Sequence, residues 1–233
     1  LPISRAQSFS GRIMAFEIQD GIHLCVCGDQ VILLDLQAER YFALPHSQND
    51  ILRRWLTNQA IGDHEAAALR RLEQLRILRS TEGDCDGTDP KIPELPAPVA
   101  GLDTMGVRSS LLGIIEALFS RMVWAWRIKH WRFDRQMRRL REPRRRATSR
   151  RPADARQIVR AFEISDLLLG SHDKCLERSF ALASVCQKNG LTVQAVIGVQ
   201  KAPFAAHCWV QHGYTIYNEK PDRAKLFTPI LAI

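Results

Sequence analysis

Apolar positions along the first eighty residues follow two rhythms in turn. His23 to Val26 and Val31 to Leu36 are short β-rich runs, and the turn chemistry of Gly28-Asp29-Gln30 between them predicts a hairpin. Arg40 to Leu44 reads as a third strand closed by Pro45. Helical spacing follows. Asn49 or Ser47 can cap a helix carrying Ile51, Leu52, Trp55 and Leu56, and Gly62-Asp63 opens another, running to Arg79, with Ala66, Leu69, Leu72 and Leu75 on one face. Gly83 to Gly101 holds Pro90, Pro93, Pro96 and Pro98, which exclude a helix or a central strand and mark a boundary. Beyond it, Ser109 to Leu140 is a helical region, apolar first and arginine-rich later, and Asp154 to Leu169 is a second helix stopped by Gly170. Asp173 can cap a helix starting at Lys174 or Cys175 and ending at Asn189-Gly190. Thr192 to Val199, Ala206 to Gln211 and Tyr214 to Asn218 read as strands, the last two joined at His212-Gly213, so a helix packs on an antiparallel sheet.

Composition narrows the class. With 233 residues, 45% of them hydrophobic and 25% charged, the chain is expected to form two compact units of a soluble globular protein, which excludes disordered, collagenous and disulfide-scaffold chains. The most apolar stretch, Leu111 to Trp126, is interrupted by Glu116 and Arg121, so no membrane span is expected. Leu1 to Arg12 lacks the pattern of a secretory signal, and the six cysteines at 25, 27, 85, 175, 186 and 208 form no regular framework; reduced thiols and a cytoplasmic location are the expectation. Cys25 and Cys27 share a strand face without a second pair to complete a zinc site, so core thiols are expected and no metal.

Net charge is +8, but its distribution is uneven. Residues 121–151 carry 13 Lys/Arg against Asp134 and Glu142, a local charge of +11 that leaves the remainder at −3. This segment, with Trp124, Trp126 and Trp131 among its arginines, reads first as a solvated helix end and second as a docking site for a partner. No nucleic acid is expected, because a helical DNA reader places its basic residues on the recognition helix; Arg70, Arg71, Arg76 and Arg79 keep that alternative open.

The chemistry concentrates in the last sixty residues. A cysteine attacks only as thiolate, and the N–H groups and positive dipole end of a helix start favour that form. Cys175 has this position, and His207, on a strand able to run beside the helix start, is the candidate base and proton donor. Glu219 ends the next strand and can orient the imidazole, while backbone donors at the Cys175 turn can hold an oxyanion. Bland readings stand beside these: a buried small thiol, a strand histidine bonded to a carbonyl, a solvated turn carboxylate. His172 is a rival base; Cys186, mid-helix, and Cys208, facing away from His207, are structural candidates.

Cys175-Leu176-Glu177-Arg178-Ser179-Phe180-Ala181-Leu182, Ile197-Gly198-Val199, Pro203-Phe204-Ala205-Ala206-His207-Cys208-Trp209-Val210 and Tyr217-Asn218-Glu219 resemble, in order and spacing, the B2 leader peptidases of lasso-peptide biosynthesis. The resemblance covers roughly 107–233. It implies a transglutaminase-like, papain-like cysteine protease domain with a Cys-His-Asp triad, here Cys175, His207 and, in the place of the Asp, Glu219; Asn218 and Asp222 are the alternative orienters. The first third reads as a winged-helix-like module of three strands plus helices. Gly28-Asp29, Val31 to Leu36 and Arg40 to Leu44 within it are similar to the B1 recognition element, in which a leader peptide adds a strand to the third strand. Tyr41, Leu69 and Leu72 are then candidates for leader-reading pockets, or simply core.

The expected architecture is therefore α+β: a recognition element over 1–82, a proline-rich linker over 83–106 and a peptidase domain over 107–233. The resemblance implies a lasso-peptide precursor as substrate, cut between leader and core, and a separate asparagine-synthetase-like cyclase that uses ATP to close the macrolactam. No cofactor is expected in this chain, where no glycine-rich phosphate loop occurs. The alternatives are an acyltransferase or transglutaminase with the same triad, and a non-catalytic winged helix binding peptide or nucleic acid.

Overall fold

The computed structural model describes residues 6–9, 12–57, 63–82, 92–141, 154–170 and 173–233. The chain divides into two compact units, Leu1–Ile92 and Pro93–Ile233. His172, Cys85, Pro90 and Arg144 to Arg146 lie outside the described residues.

In the first unit, β1 (Ala6–Phe9), β2 (Arg12–Ile18) and β6 (Leu78–Glu82) form one antiparallel sheet of order β1-β2-β6. A second, of order β3-β4-β5, consists of β3 (Ile22–Cys27), β4 (Gln30–Asp35) and β5 (Arg40–Ala43). The β3–β4 hairpin turns at Gly28, whose φ of 63° lies in the left-handed region that glycine enters without steric cost. Helices α1 (His46–Leu56) and α2 (Asp63–Gln74) supply Leu52, Trp55, Leu69 and Leu72 to a core shared with Phe16, Leu24, Val31, Leu33 and Leu78.

Three local expectations change here. The residue before α1 is Pro45, without a side-chain cap, and Asn49 is instead buried as a clamp on the hairpin. Its Oδ1 accepts from Val31 N at 2.7 Å and its Nδ2 donates to Asp29 O at 2.8 Å. Helix α2 stops at Gln74 rather than continuing to Arg79, because Arg76 adopts a left-handed φ of 56° and Ile77 N donates back to Leu72 O at 2.9 Å. The apolar residues after that turn belong to β6. The sheet β1-β2-β6 is an addition to the expected three-stranded module.

The second unit packs helices on one mixed sheet of order β11-β8-β9-β10-β7. Its strands are β7 (Ala100–Gly101), β8 (Gln194–Gln200), β9 (Ala205–His212), β10 (Thr215–Ile216) and β11 (Thr228–Ala232). The helices are α3 (Leu111–His130), α4 (Phe133–Arg141), α5 (Ala155–Leu169), α6 (Cys175–Lys188) and the single turn α7 (Pro221–Ala224). The linker expected to reach residue 106 ends earlier: Ala100–Gly101 already pairs in parallel with Thr215–Ile216, and Gln211 Nε2 donates to Pro96 O at 2.7 Å. The long helical region is broken at Trp131, whose extended backbone separates α3 from α4. Strand β11 comes from the C-terminal residues, which carried no strand expectation.

Helix α6 is the central element of this unit. Phe180, Ala181, Leu182, Ala183 and Cys186 are fully buried, and Trp124 of α3 lies edge-on to Phe180 with ring centroids 5.3 Å apart, its Nε1 donating to Ser184 Oγ at 3.0 Å. The other face of α3 is apolar too. Leu112, Ile115, Phe119, Met122 and Trp126 are exposed along it, so its sequence shows little amphipathic contrast. Its basic end is tied down by stacking: Arg127 lies over Trp124 and Trp131, and Arg135 over Trp131 at 4.4 Å from the ring centroid.

Candidate functional site

Cys175 is the first residue of α6, so its thiol lies among first-turn N–H groups that have no intrahelical acceptor. Lys174 precedes it without a side-chain cap, and Asp173, expected as the cap, has a left-handed φ of 55°. Ser179, one turn further along, is fully buried and stitches the helix to the sheet: its Oγ donates to Cys208 O and accepts from Asn218 Nδ2, both at 2.9 Å. Asn218 Oδ1 in turn accepts from Val210 N at 2.8 Å. These bonds fix the start of α6 against β9 and against the turn after β10.

His207 stands on β9, opposite Gly198 of β8. A Cβ at Gly198 would lie 2.7 Å from the ring of Trp209 and 2.9 Å from Phe227, so only glycine lets both rings close over the strand. Phe227 then packs on the His207 ring, with centroids 5.2 Å apart. The imidazole is 7% exposed, and its Nε2 meets Glu219 Oε2 at 2.7 Å. Nδ1 is the ring nitrogen left for the hydrogen bond with the Cys175 thiol.

The electrostatics of the three groups agree. Burial pushes the Cys175 thiol up, but hydrogen bonding and charge from His207, with backbone donation from Cys208 and Leu176, outweigh it and bring the thiol below its ordinary value. For His207 burial favours the neutral ring, yet hydrogen bonds to Cys175 and Glu219 and their charges raise it to about 9. Glu219 is held below the usual carboxylate range: burial works against this, while His207, the Lys220 N–H and Arg223 favour the ion. Both shifts point the same way, toward a thiolate beside an imidazolium that a carboxylate holds.

The structure thus brings Cys175, His207 and Glu219 together. It separates the other candidates from them. Both polar atoms of the Asn218 amide are committed to Ser179 and Val210, and the Asp222 side chain is 97% exposed near Lys225. Cys208 and Cys186 are buried thiols, Cys186 pushed up to about 12 by burial and Cys208 driven up by the same cause. Leu69 and Leu72 correct the sequence expectation: at 1% and 0% exposed they fill the core of the first unit and present no surface to a peptide. Tyr41 is half-buried on β5, an edge strand of its sheet. Ser179 is a site residue to which the sequence reading gave no role; its signal is a polar residue on the inward face of an apolar helix, which requires a partner when buried. Asn218, read as an alternative orienter, instead joins Ser179 to β9. Among the described residues no cluster of His, Cys, Asp and Glu is placed to hold a metal ion, and no helix is long and apolar enough to cross a membrane.

Comparison with known proteins finds likeness over the second unit. Residues 120–232 match the family model of the transglutaminase-like superfamily. The chain is 34% identical over 65 residues to the microcin J25-processing protein McjB of Escherichia coli, a match spanning 26% of this chain and 31% of that protein. No solved structure matches. The chain is a mixed α+β protein whose second unit carries a transglutaminase-like domain.

Proposed function

We propose that the chain is a cysteine peptidase that removes the leader from a lasso-peptide precursor. The observation that carries this reading is the Cys175–His207–Glu219 arrangement, with its depressed thiol and its imidazole bonded to a carboxylate at 2.7 Å. The thiolate attacks the carbonyl of the last leader residue, and first-turn N–H groups of α6 stabilise the oxyanion. The His207 imidazolium gives its proton to the departing core amine, leaving the leader as a thioester. Water then attacks the thioester with neutral His207 as base, which releases the leader's carboxyl end and restores the thiolate beside the imidazolium. Glu219 orients the ring and favours its charged form throughout.

Similarity to a protein named for processing microcin J25 supports a precursor peptide as substrate. Among the described residues β5 is the last strand of its sheet, which suits a leader added as a further strand with Tyr41 beside it. Tethering leader binding to the peptidase raises the effective concentration of the scissile bond at the thiolate. The freed amine is the group a separate ATP-using cyclase condenses into the macrolactam.

An acyltransferase with the same triad is the second reading, because the matching superfamily is named for transfer chemistry. Mass spectrometry of a precursor incubated with the wild type and with Cys175→Ala, with and without the cyclase and ATP, separates the readings. One cut at the leader–core junction, adding only water and absent in the variant, supports the peptidase. An amine adduct indicates transfer, and leader binding without a cut under any condition reduces the chain to a recognition protein.

A further inference from the structure

Arg121 belongs by sequence to the basic segment, yet its side chain is completely buried in the second unit. Its Nη1 donates to Asp166 Oδ1 of α5 at 2.9 Å, and its Nη2 donates to Gly170 O at 2.7 Å and to Glu177 Oε1 at 3.0 Å. Glu177 lies in the first turn of α6, two residues after Cys175. The other oxygen of Asp166 pairs with Arg178 at 2.5 Å, and Arg178 also donates to Asn218 O at 3.4 Å, the residue before Glu219. Two guanidinium groups and two carboxylates therefore form a neutral quartet, Arg121 fully buried and the other three half-buried, with one end on the turn that carries the thiol and the other on the turn that carries the orienting carboxylate. Buried charges persist only when paired in this way.

We propose that Arg121 and Arg178 are positioning residues that brace the start of α6 against the Asn218-Glu219 turn, and that Arg121 also offsets the Glu177 charge in the nucleophile's own helical turn. Glu177 unopposed would leave a negative charge in the helical turn that carries the thiolate, and the guanidinium of Arg121 offsets it at 3.0 Å. The two Nη atoms of the fork do this work, one guanidinium reaching α5, the α5–α6 connection and α6 together. A lysine carries its three N–H donors on one nitrogen and lacks the two separated nitrogens from which these bonds are made.

The inference rests on Cys175 as nucleophile, and its test is independent of any peptide. The full chain is treated with iodoacetamide across a pH series, and the Cys175-containing fragment is quantified by mass spectrometry. Arg121→Met leaves the quartet with excess negative charge and moves the alkylation midpoint up; Glu177→Gln leaves excess positive charge and moves it down, each by about half a pH unit. A merely structural role loosens the same contact in both variants and cannot yield opposite signs. Opposite shifts in folded protein support the brace, and any other pattern overturns it. Should Arg121→Met fail to fold, Glu177→Gln decides alone: a lowered midpoint supports the proposal, and an unchanged or raised one overturns it. Peptide cleavage without these shifts overturns the brace and spares the peptidase; the shifts without cleavage do the reverse.

Discussion

The Cys25–Cys27 pair of the first unit and Cys175 of the second place one functional group in two different fields. Cys25 lies on β3 inside an apolar core, its sulfur 3.7 Å from that of Cys27, and burial together with a second thiol drives its ionisation well above the ordinary range. Cys175 is also sheltered from water, and burial pushes it the same way. Its neighbours differ: an imidazole that a carboxylate keeps charged, and backbone N–H groups at a helix start. Burial by itself makes a thiol inert. The sign of the partner's charge makes it reactive.

The contrast is tested most severely by Cys175→Ala. It should abolish cleavage of a precursor peptide and leave leader binding, measured by fluorescence anisotropy, unchanged. His207→Gln comes next, since it removes the largest favourable influence on the thiolate. Cleavage should fall by about 10²–10⁴-fold, and the alkylation midpoint of Cys175 should rise toward that of an ordinary thiol. Glu219→Gln keeps a hydrogen-bonding group but not the charge, and should slow cleavage by about 10- to 100-fold. It should also move the alkaline limb of the pH–rate profile. On the proposed mechanism, wild-type cleavage should require the imidazolium and fall as pH rises through about 9; without the Glu219 charge that limb should shift to lower pH. The sign for stability follows the same shift. The raised His207 value contributes fully below 6.5 and is lost as pH rises through about 9, which thermal unfolding at several pH values would record. Cys25→Ala should have the smallest effect, a loss of about 1 kcal/mol of stability by denaturant titration with Cys175 alkylation unchanged. A changed alkylation rate in that variant would break the contrast between the two thiols.

Much of the site was legible in the chain because each member declares itself locally. A cysteine opening an apolar helix, a histidine inside a β-rich run and a carboxylate closing the next run are features of a few adjacent residues; the strand expected over 214–218 is only Thr215–Ile216, and the turn after it, held to β9 by Asn218, brings Glu219 to His207. Elements that depend on distant partners were harder to read. Ala100–Gly101 is a strand only because β10 pairs with it, and a proline-rich neighbourhood argued against that. Leu75 and Leu78 continue a helical spacing, but a left-handed Arg76 ends the helix and passes Leu78 to β6. Leu69 and Leu72 look alike as pocket or as core, and only the packing of α1 and two sheets around them decides.

Arg121 marks the limit most clearly. Charge counting over thirteen basic residues in 31 positions assigns it to solvent, and its place inside the apolar stretch Leu111 to Trp126 does not say which groups it would meet. Its acceptors lie 45, 49 and 56 residues further along the chain, so their convergence exists only after α3, α5 and α6 have packed. The chain on its own determined residue types, element periods and the order of the chemistry, because these rest on local sterics and on spacing. Which charges are buried, which carboxylate meets the imidazole and which way the thiol ionises were decided by tertiary structure, because each is a balance of desolvation against partners brought from far away in the sequence.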